Sequence, residues 1–409
     1  MTSNYSAELS FYALLLVLIP LYRVFASTGS SQSRGALLAG LSAAVFLVCG
    51  FPMYLLVFYI VGAFMVALYG YAVFRAREAA PRRQGQLLGL GVLALSLLLV
   101  FLNYRLYFRT LFFESSLQAY LSSLAWVGIS FFTFRAIDVL IYASSSLTHR
   151  YSLWRSMGYL LFFPTFLLGP INRYASFVKD LEASPRPLAF LEVRDLLLRM
   201  GLGVIKAFSL APLFLQHSIF TLQDAALPVS ALQVFLACYA SYLYIYIEFS
   251  GYSDIAIAVA RFFNIAVPEN FHFPFLASSI KDFWNRWHIS FAHWCRDNIF
   301  FVLLRWLTLH VAALPAFGSQ LFAIFVTFLF MGAWHGDSLN WIFYGLYHAF
   351  GMCAWYVYNK LCNQFAPDFY DRLSETRAYK VFCTVLTFHF VALGLLLTRE
   401  LSFLGRLFS

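Results

Sequence analysis

Long apolar runs separated by short polar breaks make up most of the chain. The runs that are membrane-span candidates are Leu9–Phe25, Ala36–Cys49, Met53–Phe74, Leu87–Leu102, Ala119–Tyr142, Met157–Leu168, Leu202–Leu215, Val229–Phe249, Ile299–Ala313, Gln320–Met331, Trp341–Tyr358 and Val381–Leu397. A helix that crosses a bilayer needs about 20 predominantly apolar residues. Several runs are shorter, so we expect some of them to be tilted, re-entrant or interfacial. The pattern predicts an all-α polytopic membrane protein with about ten to twelve membrane helices.

Composition supports this class. Hydrophobic residues make up 61% of the 409 positions and charged residues 11%, whereas soluble domains have about 45–50% and about 25%. The formal net charge of +9 does not indicate nucleic-acid binding, because the basic residues stand between apolar runs and form no stripe along a soluble domain. The six cysteines show no CxxC or metal-ligand spacing, so neither a disulfide framework nor a zinc site is expected.

The basic residues are better explained by topology, since Lys and Arg collect in cytoplasmic loops near helix ends. Arg34 and the Arg75–Arg83 stretch are expected in the first two cytoplasmic loops, with Met1 outside. Later basic stretches fall between Arg173 and Lys206 and between Lys360 and Lys380. No long polar linker separates groups of helices, so residues 1–409 are expected to form a single domain.

Two polar stretches interrupt the apolar pattern without resembling ordinary loops. The stretch Phe163–Arg199 begins with Pro164, Gly169 and Pro170, which interrupt helix hydrogen bonding. The stretch Glu248–Asp297 carries many charges and three histidines. Irregular or charged backbone at membrane depth persists where it is buried in protein or lines a wet cavity. The middle third of the chain is therefore expected to build a cavity.

The polar segment around His288 is the strongest local signal, with the sequence SIKDFWNRWHIS over residues 279–290. As one continuous helix it would place His288 on a face with Trp284, Asn285 and Phe291. Asp282 and Arg286 are four residues apart and are expected to pair, as is Arg296 with a nearby carboxylate. An interfacial helix with belt tryptophans and snorkelling arginines is the alternative interpretation.

The second signal is MGAWHG over residues 331–336. His335 follows Trp334 at the end of an apolar run, and flanking glycines leave room for a substrate to approach. Imidazole is the side chain whose ordinary pKa suits proton exchange near neutrality. A satisfied packing histidine is the alternative. His348 either lines the same cavity or packs in the core, and His293 is expected to be structural or interfacial.

Together these segments resemble the membrane-bound O-acyltransferase (MBOAT) family, in which one hallmark histidine follows a Trp in a WHG-like step and another lies in a DFWNRWH-like helix. By position His335 matches the first and His288 the second. Further matching pieces are ISFFTFR at 129–135, FPT at 163–165 with GPINRY at 169–174, and FSGYSD at 249–254. The resemblance covers about residues 128–348 in order. It is greatest to the branch that D-alanylates teichoic acids, then to the alginate O-acetyltransferase branch.

The resemblance implies helices around a central tunnel and transfer of an acyl group from a thioester to a hydroxyl. His335 would be the general base. His288 would orient the donor, share the proton or stabilise the oxyanion, with Asn285 a further donor. The other residues expected to bind substrate or support the tunnel are Trp284, Asp282, Arg286, Trp334 and Ser290. Direct transfer is expected, because no Ser or Cys stands in an evident nucleophile motif.

The resemblance also implies a donor: the phosphopantetheine arm of a small acidic acyl (D-alanyl) carrier protein on the cytoplasmic side. No cofactor or metal is expected to be bound by the chain itself. Carrier docking is assigned to four basic residues, although Arg173, like Arg135, is also expected to support loop structure. The docking residues are Arg173, Lys179, Arg186 and Arg194. Further expected partners are small membrane or extracytoplasmic relay proteins and the lipid of a bacterial cytoplasmic membrane.

Two alternatives stay open. One is an O-acetyltransferase of an exported polysaccharide, which differs in its donor pocket. The other is a transporter or flippase, because intramembrane charges and broken helices also mark transport sites. Corresponding Gly/Pro-interrupted segments in two halves of the chain would favour transport, and the sequence does not show them.

Overall fold

A computed structural model describes residues 2–48, 53–79, 81–103, 129–145, 151–166, 168–222, 230–336 and 338–399. Every regular element within these residues is helical. The helices are α1 (Thr2–Thr28), α2 (Ser31–Val48), α3 (Met53–Ala79), α4 (Pro81–Asn103), α5 (Ile129–Ser145), α6 (Leu153–Leu160), α7 (Tyr174–Glu182), α8 (Phe190–Leu215), α9 (Ile219–Leu222), α10 (Ala231–Phe262), α11 (Ile280–Arg286), α12 (Ile289–Cys295), α13 (Phe301–His310), α14 (Ala316–His335), α15 (Leu339–Phe365), α16 (Pro367–Glu375) and α17 (Arg377–Gly394).

Short irregular turns join or interrupt some of these helices. A π-helical turn over Ile205–Leu210 lies within α8, and another over Arg296–Phe300 connects α12 to α13. Three short 3-10 turns complete the set: Phe163–Thr165, Pro274–Leu276 and Leu395–Thr398.

Six of the described segments are long and apolar enough to cross a membrane. They are Ser31–Val48, Leu56–Ala76, Phe190–Leu215, Ala231–Phe262, Ala316–His335 and Arg377–Thr398. The all-α, multi-pass class is therefore confirmed. The count of about ten to twelve membrane helices stays a prediction, and the start of the expected span Ala119–Tyr142 lies outside the described residues.

Two predicted spans have different bounds for identifiable reasons. The run Met157–Leu168 is not one helix, because α6 ends at Leu160 and Pro164 enters a 3-10 turn. By contrast α10 continues past the predicted end at Phe249. Its charged residue Asp254 is compensated by an ion pair to Arg199 at 2.9 Å, which lowers the cost of carrying a carboxylate in a long apolar helix.

The described residues form two compact units. The first comprises the described parts of Met1–Leu102, Phe113–Leu202 and Tyr252–Pro268, and the second those of Asn103–Phe112, Gly203–Gly251 and Glu269–Ser409. The expected single domain over 1–409 stays a prediction.

Buried arginines organise the first unit. Arg135 is 1% exposed, and its guanidinium donates to the carbonyls of Tyr159 and Phe162 and to the Thr165 hydroxyl. It thereby binds the polar groups freed where α6 ends, as expected for a residue that supports loop structure. Arg34 corrects the sequence analysis. It lies buried within α2, where it donates to the carbonyls of Ala26 and Leu181, so it is not a loop cation.

Candidate active site

Close backbone packing in the second unit sets the position of His335. Helices α14 and α15 approach at Gly332 and Gly345, where a Cβ on Gly332 would lie 2.7 Å from the Cα of Gly345. Such a contact admits only glycine, so the two backbones meet one turn before the end of α14. His335 is the last residue of α14, which confirms the prediction that it ends a spanning helix.

The glycine after His335 has a different role from the one expected. A Cβ on Gly336 would lie 2.1 Å from the indole of Trp341, so this space is occupied by a side chain and is not open to substrate. The Trp341 ring stacks on the His335 imidazole, with centroids 5.7 Å apart and planes 14° apart. Gly336 therefore allows an aromatic side chain to hold one face of the histidine.

A backbone hydrogen bond fixes the tautomer of His335. Its Nδ1 lies 2.5 Å from the carbonyl oxygen of Met331, one turn earlier in α14. A carbonyl oxygen can only accept, so Nδ1 carries the proton. Nε2 is then the nitrogen with a free lone pair, on a side chain that is partly exposed. This is the arrangement that a general base needs.

The expected continuous helix through His288 is wrong. Helix α11 ends at Arg286 and α12 begins at Ile289, while His288 has a left-handed backbone with φ 43°. Neighbouring backbone stabilises this break: the amide of Ile289 donates to the Asn270 carbonyl, and that of His272 donates to the Arg286 carbonyl, both at 2.9 Å. His288 therefore does not share a helix face with Trp284 or Asn285.

Asn270 is the residue that holds the start of α12. It is 1% exposed, and its Oδ1 accepts hydrogen bonds from the Ser290 hydroxyl at 2.8 Å and the Ser290 amide at 3.3 Å. The side chain satisfies donors that the helix leaves free at its N-terminus. Ser290, expected at the site, thus supports the turn that carries His288.

The imidazole of His288 is buried among aromatic rings. It is 4% exposed, and its centroid lies 4.7 Å from Phe249, 4.9 Å from Phe291 and 6.1 Å from Trp334. Its Nε2 is buried and has no hydrogen-bond partner among the described residues. Burial, with the nearby His335, holds the pKa of His288 well below its ordinary value. The ring is therefore neutral near pH 7.

Both catalytic candidates contact the same pair of aromatic rings. Phe291 and Trp334 lie 4.2 Å apart, and the His335 ring is 6.0 Å from the first and 4.8 Å from the second. His288 contacts these two rings from its own side. The structure therefore brings His288, His335 and Trp334 together, although they come from separate sequence segments.

A third histidine belongs to the same aromatic cluster. His348 is fully buried and packs against Trp284 at 5.2 Å and Tyr344 at 4.5 Å. Tyr344 also contacts His335 at 6.0 Å, and its hydroxyl lies 3.1 Å from that of Tyr242. Trp284, expected beside His288, therefore packs on His348.

Sequence reasoning missed Tyr344, Trp341 and Asn270. The spacing of Trp341, Tyr344 and His348 is three and four residues along α15, which places all three on the helix face next to His335. That pattern was a usable signal. Asn270 gave none, because its role depends on a contact across a turn.

The remaining residues expected at the site have mixed placements. Asp282 and Arg286 form the predicted ion pair at 2.8 Å, and Arg296 pairs with Asp297 at 3.0 Å. Asn285 is exposed and lines a cavity. His293, expected to be structural or interfacial, lines the same cavity.

This cavity has a volume of about 420 Å³ and follows one face of α14. Its lining residues on α14 include Gln320, Ile324, Thr327 and Met331. His335 is one turn beyond Met331 on that face. The exposed lining residues are Lys281, Asn285, His293, Arg296 and Phe301, so the open part of the cavity carries positive charge.

The four docking candidates lie in the first unit and differ in their surroundings. Arg173 is partly buried and pairs with Asp138 at 3.1 Å, a contact within the fold, and its role in docking stays a prediction. Arg186 and Arg194 are exposed, but they pair with the carboxylates of Glu192 and Asp195. Lys179 is exposed near the end of α7.

Comparisons with known proteins show the family to which the chain belongs. The model of the membrane-bound O-acyltransferase family matches residues 85–370, a range that includes both histidines. A teichoic acid D-alanyltransferase of Bacillus subtilis is 33% identical over 276 residues, which are 66% of this chain and 68% of that protein. One of Streptococcus thermophilus is 30% identical over 298 residues, 69% and 70% of the two chains. A peptidoglycan O-acetyltransferase of Helicobacter pylori is 26% identical over 259 residues, 60% and 44% of the two chains. The chain therefore belongs to the membrane-bound O-acyltransferase family and is an acyltransferase.

Proposed function

We propose that this protein transfers a D-alanyl group from a carrier-protein phosphopantetheine thioester to a hydroxyl, as a step in modifying a cell-envelope polymer. The relatives named as teichoic acid D-alanyltransferases support the acyl group. The observation that carries the chemistry is the hydrogen bond from Nδ1 of His335 to the Met331 carbonyl oxygen. Because Nδ1 holds the proton, Nε2 has the lone pair that can accept a proton as a base.

In this mechanism the acceptor hydroxyl attacks the thioester carbonyl carbon while its proton passes to Nε2 of His335. A new C–O bond forms, and the carbonyl oxygen becomes an oxyanion. The tetrahedral intermediate then collapses, the C–S bond breaks, and the sulfur leaves as a thiol with the proton from His335. The products are an ester and the free phosphopantetheine thiol, without an acyl-enzyme.

His288 complements this base as a neutral hydrogen-bond donor. Its Nε2 has no partner among the described residues, so an Nε2–H tautomer is available to an oxyanion. A donor held in a dry aromatic pocket interacts more strongly than one in water. The pocket walls formed by Phe249 and Phe291 keep that donor away from bulk solvent.

The cavity along α14 is the proposed path of the donor arm and represents the tunnel expected from the family. From Gln320 to Met331 it follows about 16 Å of helix at 1.5 Å per residue. It ends one turn before His335, which suits a long, flexible arm. Lys281 at its open part provides positive charge for the phosphate of the arm, whereas Arg296 already pairs with Asp297.

The carrier itself is proposed to be acidic and to bind at the cytoplasmic face of a bacterial cytoplasmic membrane, with relay proteins beyond the membrane. Lys179 is the strongest docking candidate, because Arg186 and Arg194 already pair with carboxylates. Lys179→Glu should raise the apparent KM for the carrier without changing kcat, and added salt should reduce the difference. An unchanged KM at low salt would exclude this contact.

O-acetyl transfer is the second candidate, supported by the relation to a peptidoglycan O-acetyltransferase. One experiment separates the two functions. The purified protein in lipid vesicles is given D-alanyl carrier thioester or an acetyl thioester, with a hydroxyl acceptor, and ester formation is followed by mass spectrometry. Transfer of D-alanine alone supports the proposal. Transfer of the acetyl group alone would replace D-alanyl transfer with O-acetyl transfer as the proposed function. Transfer from neither donor would reject both functions.

A further inference from the structure

A second groove in the second unit has no histidine among its described lining residues. It has a volume of about 640 Å³ and is lined by faces of α15 and α17. Its lining residues recur every three or four positions and include Phe350, Ala354, Tyr358, Tyr379, Phe382 and Leu386. This spacing places the lining residues on one face of each of the two helices.

The groove has one polar end and one apolar end. At the polar end the hydroxyls of Tyr358 and Tyr379 lie 3.0 Å apart, and the Tyr370 hydroxyl donates to Asn359 at 2.7 Å. At the other end Phe390 and similar side chains line the wall. The face from Tyr379 to Phe390 is about 16 Å long at 1.5 Å per residue, which is about one leaflet of a 30 Å hydrocarbon core.

Charge at the polar end is positive. Lys380 is exposed and is the charged side chain of the groove, and no carboxylate is found among the described residues that line it. The hydroxyls of Tyr358 and Tyr379 hydrogen-bond to each other and also interact with Cys362 and Cys383, so the charged donor that the polar end presents to a ligand is Lys380. The polar end thus offers a cation, and a charge-assisted hydrogen bond from an ammonium group is a strong contact for a phosphate.

The geometry points to a binding site for one anionic phospholipid, with its phosphate at Lys380 and its acyl chains along α15 and α17. Basic pockets between membrane helices are suited to such headgroups. The groove also includes Ser279, whose side chain caps α11 by accepting the Asp282 amide at 3.0 Å. A lipid in the groove would contact the start of the helix that leads to His288. This inference is independent of which acyl group is transferred.

Native mass spectrometry of the detergent-purified protein tests the headgroup. Phosphatidylglycerol and phosphatidylcholine with the same chains are titrated separately, and we expect tighter binding of one phosphatidylglycerol. Lys380→Gln should weaken it about fivefold, the effect of one basic residue at an anionic surface. Lys360→Gln is the matched control: Lys360 lies over the Phe317 ring, outside the groove, and its loss should leave affinity unchanged.

A steric variant tests the groove itself. Ala354 is exposed within it, so Ala354→Trp should displace the lipid, and Ala354→Leu is the milder replacement if the first protein is not monodisperse. Equal binding of both lipids, equal effects of Lys380→Gln and Lys360→Gln, or unchanged binding in the filled groove would each overturn the proposal. Recovery of a second copy or a peptide in the groove in place of lipid would also overturn it.

Discussion

Replacing His335 separates its basicity from its packing. His335→Ala removes the imidazole that donates to Met331 and stacks on Trp341. His335→Gln keeps a hydrogen-bonding side chain of similar length but supplies no base. General-base assistance contributes about 10²–10⁴ in rate, or about 3–5 kcal/mol in the activation barrier. We expect both variants to lose transfer by this amount, because the lost function is proton acceptance.

The assay is single-turnover transfer from a D-alanyl carrier thioester to a hydroxyl acceptor in proteoliposomes. His310→Ala is the matched control, since His310 also ends a helix, places Nδ1 2.9 Å from the carbonyl four residues earlier, and stacks on a tryptophan. It differs in being exposed and outside the site. The control should retain the wild-type rate, and thermal unfolding should show that all three variants are folded.

Two results would refute the role of His335. The first is a His335→Gln variant that transfers at the wild-type rate, because no base would then be needed at this position. The second is an equal loss in His310→Ala, which would show that a histidine at a helix end affects folding or insertion and not chemistry. A rate loss in His335→Ala that is absent in His335→Gln would assign the residue to packing.

Three further predictions concern the supports of the site. Gly336→Ala places a Cβ 2.1 Å from the Trp341 indole and should lower kcat by up to about 10²-fold through displaced rings; Gly201→Ala, where a Cβ meets nothing within 4 Å, should have no effect in the same assay. Asn270→Ala removes the buried acceptor of the Ser290 hydroxyl and amide and should lower the free energy of unfolding by about 1–3 kcal/mol, measured by denaturation in detergent, and a Tm equal to wild type would contradict this. His288 has a lowered pKa in the folded state, so below about pH 6.5 the unfolded state binds more protons than the folded state. The free energy of unfolding therefore decreases as the pH is lowered. In His288→Asn the asparagine tolerates the left-handed backbone, and the Tm of this variant should fall less than that of wild type when the pH is lowered from 7 to 5. Parallel curves of Tm against pH would argue against a buried neutral imidazole.

Local sequence rules singled out the two segments that contain His288 and His335, because each rule acts over a few residues, and the family resemblance implied their catalytic roles, which stay predictions. The end of α14 at His335 follows from an apolar run that meets Gly336. The pair of Asp282 and Arg286 follows from their spacing on α11. These features depend on periodicity and charge, which a sequence displays directly.

The break at His288 could not be predicted in this way. Nothing in the spacing of residues 279–297 opposes a helix. The break is stabilised by Asn270, which lies eighteen positions before His288 in the sequence. Likewise, Gly336 faces Trp341 because α14 and α15 meet at Gly332 and Gly345. Such contacts are tertiary, and they override local preference.

The charged residues show the same limit of prediction from local sequence. Arg34 has the sequence context of a cytoplasmic loop residue, yet it is buried where three backbone carbonyls accept its protons. Lys and Arg indicate the end of a membrane helix only where their side chains are solvated better by water than by groups of the protein. Where the chain supplies enough carbonyl oxygens, an arginine becomes a structural residue.

The surroundings of His335 and His288 differ, and the differences favour different roles in the proposed reaction. His335 is partly exposed with its tautomer fixed, as the proposed general base requires. His288 is buried, has a left-handed backbone that costs of order 1–3 kcal/mol, and its Nε2 has no hydrogen-bond partner in the part of the chain that the structure describes. Packing alone does not explain these costs, because an apolar residue would fill the aromatic pocket without an unpaired polar atom. They are explained if a charge that exists only during the reaction binds there, and a buried neutral donor beside a reachable base is the arrangement that such a charge requires.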